Sequence, residues 1–143
     1  MGTRALVKFI EDKKTLVTLY RQYDGYPTGL GQDLLNSLNK GKVTITNGYG
    51  SKDTSPAAFN GIGCLAAYLV GVLKHRLDRP NEKGNSIGNV YLMPANTKNV
   101  GEEFIYTLST IDGKLFIEIN GYGKVIYNGL LSEMDPKVVE AKT

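Results

Sequence analysis

Tryptophan is absent from the 143-residue sequence, and cysteine and histidine occur once each. With Cys64 as the only thiol, the chain can form neither an internal disulfide nor a zinc site built from cysteines. His75 has only Asp78 near it in sequence as an orienting carboxylate, with no neighbouring nucleophile, so we interpret it as a surface histidine. No catalytic or metal motif is complete in the chain. We therefore predict a non-catalytic protein with no cofactor and no metal site.

The chain also carries little net charge. The net charge of +3 is too small to indicate a nucleic-acid-binding protein, and RNA binding would need aromatic residues interleaved with many more cations. The longest apolar run covers residues 57–73, where Asn60 and three glycines argue against a membrane span. The first residues lack the apolar run of a signal peptide, so we expect a cytoplasmic location.

Short alternating segments predict a mainly antiparallel sheet. The predicted strands cover residues 4–11, 15–22, 42–46, 89–94, 103–111, 114–120 and 124–128. The first two and the fifth and sixth form hairpins, and Asp112-Gly113 is a favoured pair for a type I′ turn. Neither strand of the first hairpin alternates cleanly. We therefore expect both faces of the sheet to be covered, by helices or by a partner subunit.

Two helices are predicted. The shorter covers residues 29–39, begins at a Thr28 cap and carries a leucine stripe. The longer begins with Ser55 as its cap and Pro56 as its first residue, and residues 57–73 are apolar almost all round. We therefore predict a central buried helix, with Cys64 as an inert core residue. Three small residues spaced by four should form a strip where another element approaches closely; they are Gly63, Ala67 and Gly71.

These segments predict an α+β domain, with a mainly antiparallel sheet and one long buried and one shorter helix packed on it. The domain covers residues 1–129, and residues 130–143 are predicted to form a ragged, exposed and partly disordered tail. Residues 47–53 are predicted to form a loop.

The most unusual stretch is residues 20–31, which we call the tyrosine turn. It combines Tyr20, Tyr23 and Tyr26 with Arg21 and Asp24, just before the predicted helix. Tyrosine rings stack on planar ligands and their hydroxyl groups form hydrogen bonds, so the turn suits ligand or protein recognition. An Arg21–Asp24 pair that locks the turn is an equally good structural interpretation. The glycines before the helix only weakly resemble a phosphate-binding loop, because both established fingerprints are missing.

The motif that begins with Thr3-Arg4 and continues as Tyr20-Arg21-Gln22-Tyr23-Asp24-Gly25-Tyr26-Pro27-Thr28-Gly29 resembles a group of small phage and prophage proteins. Within that group, the chain is similar to the Thoeris anti-defence family of signal-sequestering sponges. The resemblance implies a homo-oligomeric protein in the host cytoplasm that binds a cyclic ADP-ribose-type nucleotide without cleaving it.

Under this hypothesis we assign roles to eight residues. Arg21 and Arg76 would contact phosphates, and Tyr23, Tyr26 or Tyr91 would stack on a base or ribose. Asn60 or Asn89 would form hydrogen bonds, and Asp24 completes the candidate set. Three alternatives stay open: a nucleotide-processing enzyme with His75 or Asp24 as acid or base, a structural or protein-binding phage component, and a homo-oligomer contact through the tyrosine turn.

Overall fold

The computed structural model describes residues 2–46, 58–78 and 88–143. In this part of the chain the strands are β1 (Ala5–Glu11), β2 (Lys14–Arg21), β3 (Thr44–Thr46), β4 (Ala58–Asn60), β5 (Val90–Met93), β6 (Phe104–Ile111), β7 (Lys114–Gly121) and β8 (Lys124–Leu130). The helices are α1 (Gln32–Ser37), α2 (Gly61–Leu77) and α3 (Pro136–Glu140). The fold is α+β, as predicted, with one mainly antiparallel sheet, one longer helix and shorter ones.

The strand order is β4-β3-β7-β6-β1-β2-β5, and β8 also pairs with β7. β1 lies inside the sheet, antiparallel to β2 and parallel to β6, so that Ala5 pairs with both Arg21 and Phe104. Both predicted hairpins are confirmed. Their tips, Asp12-Lys13 and Asp112-Gly113, have positive φ at both residues, as a type I′ turn requires.

One face of the sheet carries the core. Its fully buried side chains alternate along β1, β2, β6 and β7: Val7, Phe9, Leu19, Tyr106, Leu108, Ile117 and Ile119. Helix α2 covers this face with Ile62, Leu65, Leu69 and Leu73. Burial of each such side chain is worth about 1.5–3 kcal/mol, so the α2 contact is a principal source of stability.

The opposite face of the sheet is crossed by the connection from β5 to β6. Lys8 Nζ donates to Thr97 O at 2.9 Å, and Thr18 Oγ1 donates to Ala95 O at 3.0 Å. Because this connection passes over β1 and β2, polar side chains of both strands gain partners on that face. This explains the imperfect alternation of the first hairpin.

The long helix begins later than predicted. Ala58–Asn60 forms β4, which pairs in parallel with β3, and α2 starts at Gly61. Propensity favoured a helix here, but the tertiary pairing with β3 overrides it. The predicted cap at Ser55, Pro56 and the loop at residues 47–53 lie outside the described residues.

Helix α2 is buried on one side only, which corrects the prediction of a helix buried all round. Gly63, Cys64, Ala67, Tyr68 and Gly71 are exposed. A Cβ atom added at Gly71 would meet no described residue within 4 Å, so no other described part of the chain approaches the small-residue strip there. Sequence alone did not show which apolar side faces the sheet. No helix in the described ranges is long and apolar enough to cross a membrane.

The shorter helix also differs in its start. A π-helical turn at Pro27–Gly31 precedes α1, and Thr28 does not cap it, because its hydroxyl group bonds elsewhere. The leucine stripe is buried as predicted, at Leu30, Leu34, Leu35 and Leu38. Gly41 has φ +85° and ends the segment in a left-handed conformation.

The C-terminal segment is folded, where a ragged tail was predicted. A 3₁₀ turn at Leu131–Glu133 leads into α3, whose N-cap Asp135 accepts a hydrogen bond from Lys137 N. Leu131, Met134 and Val139 are buried in the core. These apolar residues are too few and too widely spaced to form a strong sequence pattern, which is why the prediction failed.

Candidate ligand-binding site

A backbone hydrogen bond holds the tyrosine turn against the start of the chain. Gly25 N donates to Thr3 O at 2.9 Å, and Leu30 N donates to Asp24 O at 3.0 Å. Gly25 has no room for a side chain, because an added Cβ would lie 2.7 Å from Ala5 Cβ. Asp24 adopts φ 57°, which aspartate tolerates better than most residues. The turn is therefore a rigid junction between β2 and the helix.

Arg21 lies inside this junction and is only 3% exposed. Its Nη1 bonds Asp33 Oδ2 at 2.6 Å, and its Nε donates to Tyr23 O at 2.6 Å. The predicted Arg21–Asp24 pair is wrong, since Asp24 instead accepts from the Tyr26 hydroxyl group at 3.0 Å. A ligand phosphate would have to displace Asp33 to reach the Arg21 guanidinium group.

The hydroxyl groups of Tyr106 and Tyr26 are held in place at the turn. Tyr106 OH donates to Gly25 O at 2.6 Å, and burial raises the pKa of Tyr106 well above its ordinary value. The hydrogen bond to Asp24 raises the pKa of Tyr26, with burial contributing less. The contact of Tyr106 with Gly25 depends on the parallel β1–β6 pairing, which the sequence does not reveal.

Asn89 and Tyr91 are brought beside the turn by a buried carboxylate. Asp78 is 0% exposed, and it accepts from the backbone N–H groups of Gly88, Asn89 and Val90 at 3.0, 2.6 and 2.9 Å. It also pairs with Lys74 Nζ at 2.5 Å. This arrangement fixes the end of α2 to the start of β5.

From this anchored position, Asn89 Oδ1 accepts from Tyr23 N at 3.0 Å. The Tyr91 ring lies 5.7 Å from the Tyr20 ring, measured between centroids. Six of the eight predicted residues therefore gather in one region around the junction of β2, β5 and the helix: Arg21, Tyr23, Asp24, Tyr26, Asn89 and Tyr91.

The other two predicted residues mark opposite ends of α2. Asn60 precedes the helix and Arg76 lies in its last turn, where Nη1 donates to Ser37 Oγ at 3.4 Å. At 1.5 Å per residue, they are separated by about 24 Å along the helix axis. One small ligand cannot contact both within a single chain.

A cavity of about 540 Å³ lies between the two hairpin tips and the start of α2. Its walls are formed by Ile10, Glu11, Asp12, Lys13, Ile45, Thr46, Asn60, Gly61, Ile62, Ser109, Thr110 and Gly113. The volume falls in the range of about 300–1,000 Å³ that is typical of small-molecule sites. Of the predicted residues only Asn60 lines it. The cavity rim and the tyrosine turn lie at opposite ends of β2. At a rise of about 3.3 Å per residue, this strand separates them by about 25 Å.

Glu11 is a polar group of this cavity that is held in place by a backbone hydrogen bond. Its Oε1 accepts from Ile62 N at 2.9 Å, so the carboxylate satisfies a backbone donor at the start of α2. The neighbouring Gly61 has φ +83°, and a Cβ added there would lie 2.6 Å from Glu11 Oε1. Glycine is therefore required at position 61 both by its backbone conformation and by the close approach of the carboxylate.

The rest of the wall offers hydrogen-bonding groups and a mixture of charges. Thr110 contributes a hydroxyl group from β6, and Asp12 and Lys13 contribute opposite charges from the hairpin tip. The described lining residues include neither histidine nor cysteine. Such a wall suits binding through hydrogen bonds.

A second cavity, of about 360 Å³, is lined by Asn99, Gly101, Glu102, Glu103, Ile105, Asn120 and Gly123. Its carboxylates already accept hydrogen bonds from backbone N–H groups. Glu102 accepts from Asn99 N and Val100 N, both at 2.9 Å, and Glu103 accepts from Arg4 N at 2.6 Å. This cavity is therefore the weaker candidate.

Sequence reasoning missed most of the larger cavity. In the sequence, only the two predicted hairpin tips pointed to this cavity, because the placement of β6 beside β1 depends on long-range pairing. The tyrosine turn was the more visible feature, although neither cavity is lined by Tyr23 or Tyr26. Comparison of the chain with models of protein families, with curated proteins and with solved structures finds no match.

Proposed function

We propose that this protein is a phage-encoded binding protein that sequesters a cyclic ADP-ribose-type nucleotide signal in the host cytoplasm without cleaving it. The observation that carries the proposal is the cavity of about 540 Å³ at the start of α2. Its volume and its hydroxyl, amide and carboxylate groups suit a polar small molecule. The nucleotide class rests on the sequence resemblance of the tyrosine-turn motif.

The positions of the titratable groups support binding in preference to catalysis. His75 is exposed in the last turn of α2, the end of the helix away from the cavity. Glu11 is held against the backbone of Ile62. A general base must lie within hydrogen-bond reach of the proton that it removes. His75 has no such position relative to the cavity.

The charges at the rim indicate how an anionic ligand would be oriented. Lys13 lines the cavity at the hairpin tip, and Lys14 follows it on β2. Both lysines are exposed. Phosphates would therefore lie at the rim beside these lysines, with the remainder of the nucleotide inside.

The test is to incubate the purified protein with cyclic ADP-ribose isomers, remove unbound ligand, heat the protein and analyse the released molecules by mass spectrometry. The proposal expects intact ligand to be released. A new product would favour the enzyme alternative, and the absence of retained ligand would exclude sequestration of these isomers.

Two of the predicted residues provide a matched pair for locating the site. Asn60→Ala removes an amide from the cavity wall, whereas Arg76→Ala removes a cation at the other end of α2. We expect the first variant to retain several-fold less ligand and the second to retain the wild-type amount. The reverse result would move the ligand site to the C-terminal end of α2.

A second candidate function is protein association through the tyrosine turn, as a homo-oligomer contact. Tyr23 is 46% exposed and Tyr91 is 42% exposed, and both belong to a rigid region. Exposed tyrosines on a rigid surface are enriched in protein interfaces. Light scattering after size-exclusion chromatography should show a smaller assembly for Tyr23→Ala than for wild type. An unchanged mass would exclude this contact.

A further inference from the structure

Within the larger cavity, the two oxygens of Glu11 have different surroundings. Oε1 accepts from Ile62 N at 2.9 Å, which fixes the carboxylate at the start of α2. Oε2 makes no hydrogen bond with the described residues, so it is available to a ligand. The carboxylate is thus already oriented, and a ligand that bonds Oε2 need not order a mobile side chain.

One further polar group of the cavity wall is available on the face of the sheet that α2 covers. The hydroxyl group of Thr110 makes no hydrogen bond with the described residues, and it can both donate and accept. By contrast, the Thr46 hydroxyl donates to Phe59 O at 3.2 Å. The available groups of the described lining residues are therefore one carboxylate oxygen and one hydroxyl group.

The charge of the wall decides which part of a nucleotide fits there. Among the lining residues that the structure describes, the carboxylates are Glu11 and Asp12, and Lys13 is the single cation. A phosphate placed beside Glu11 would face a like charge, which is unfavourable. Sugar hydroxyl groups are neutral donors, and their hydrogen bonds to a carboxylate are charge-assisted and short. A carboxylate that binds ribose hydroxyl groups recurs in nucleotide sites.

We infer that this cavity is a ribose-binding site in which Glu11 Oε2 accepts a hydrogen bond from a ribose 2′-hydroxyl group. Thr110 bonds the sugar from the β6 side, and Gly61 leaves the space in which the carboxylate lies. The inference rests on the proposed nucleotide-binding function and specifies which part of the ligand enters.

The test measures dissociation constants by isothermal titration calorimetry for cyclic ADP-ribose and for two of its monodeoxy analogues, each lacking the 2′-hydroxyl group of one ribose. One analogue should bind wild-type protein about tenfold more weakly, the effect of losing one charge-assisted hydrogen bond. Glu11→Gln keeps an acceptor oxygen for Ile62 N but replaces the other oxygen with a donor. This variant should bind the parent ligand about tenfold more weakly than wild type does, and its affinity for that analogue should be nearly the same as that of wild type.

Asp12→Asn is the matched control, since it removes the same charge from the same rim without touching the helix start. It should change the affinities of all three ligands by a similar factor. Equal binding of the parent and both analogues to wild type would overturn the ribose assignment while leaving the proposed function intact. That comparison needs no variant, so it stands even where Glu11→Gln fails to fold. Failure of all three ligands to bind wild type would overturn the proposed function and the ribose assignment together.

Discussion

At the scale of single residues, the two aspartates near Arg21 have different roles. Asp33 bonds the buried Arg21 guanidinium group at 2.6 Å, whereas the Asp24 carboxylate bonds the exposed Tyr26 hydroxyl group at the surface. Asp33→Asn should lower the free energy of unfolding by about 3 kcal/mol, because it leaves a buried cation without its counter-charge. Urea unfolding at pH 7 measures this.

The control for that experiment is Asp24→Asn, which changes the same type of group nine residues earlier, in the tyrosine turn. This variant should lower the free energy of unfolding by less than about 1 kcal/mol, since asparagine also tolerates the positive φ of Asp24. Equal losses for the two variants would contradict the pairing of Arg21 with Asp33.

The buried hydroxyl group of Tyr106 predicts a sensitivity to alkali. Burial raises the pKa of Tyr106 well above 10.0 in the folded protein, so the folded state keeps this proton at pH values where the unfolded chain loses it. The stability from the neutral hydroxyl group is complete below pH 10 and falls above it, by up to about 1.4 kcal/mol per pH unit. Unfolding curves from pH 8 to 11 measure the slope.

Tyr106→Phe should be less stable than wild type by about 1–2 kcal/mol at pH 8, because Gly25 O loses its donor. Above pH 10 its stability should fall less steeply than that of wild type, so the two curves converge. Tyr122→Phe, at an exposed position, should keep the wild-type slope. Parallel curves for Tyr106→Phe and wild type would refute the role of this hydroxyl group.

At the scale of elements, α3 clamps the tyrosine turn. Glu140 Oε1 accepts from Thr28 N at 3.0 Å and from Thr28 Oγ1 at 2.8 Å. Glu140→Ala should destabilise the protein by about 1–2 kcal/mol, because two partly buried donors lose their acceptor. It should also speed amide exchange at Thr28. Glu133→Ala, at an exposed site in the preceding turn, should change neither the stability nor the amide exchange of Thr28. Equal effects of the two substitutions would disprove the stabilising role of the Glu140–Thr28 contact.

The elements that could be predicted from sequence are those specified by nearby residues. Both hairpins have short polar tips, of which Asp112-Gly113 favours the positive φ of a type I′ turn, and the leucine stripe places α1 against the core. The start of α2 could not be predicted, because Ala58–Asn60 becomes a strand only through its pairing with Thr44–Thr46. The candidate cavity was missed for a similar reason. Its walls come from hairpin tips that are brought together by the parallel pairing of β1 and β6.

At the scale of the whole molecule, the candidate site and the tyrosine turn lie at opposite ends of β2. Lys13 lies at the cavity rim, and Arg21 is in the turn about 25 Å away. A small ligand in the cavity therefore leaves the tyrosine turn available for contact with another subunit. The two proposed functions are compatible for this geometric reason.

The position of β1 inside the sheet predicts that the chain unfolds as one unit. β1 pairs with strands from both halves of the sequence, and Leu131 of the C-terminal segment is fully buried in the same core. Leu131→Ala should lower stability by about 2–5 kcal/mol through the cavity that it leaves. If unfolding is a single cooperative event, native-state hydrogen exchange of the β1 amides should lose the same free energy of protection. Val138→Ala, at an exposed site on α3, should leave β1 protection unchanged. Unchanged protection of β1 in Leu131→Ala would show instead that the C-terminal segment opens independently of the sheet.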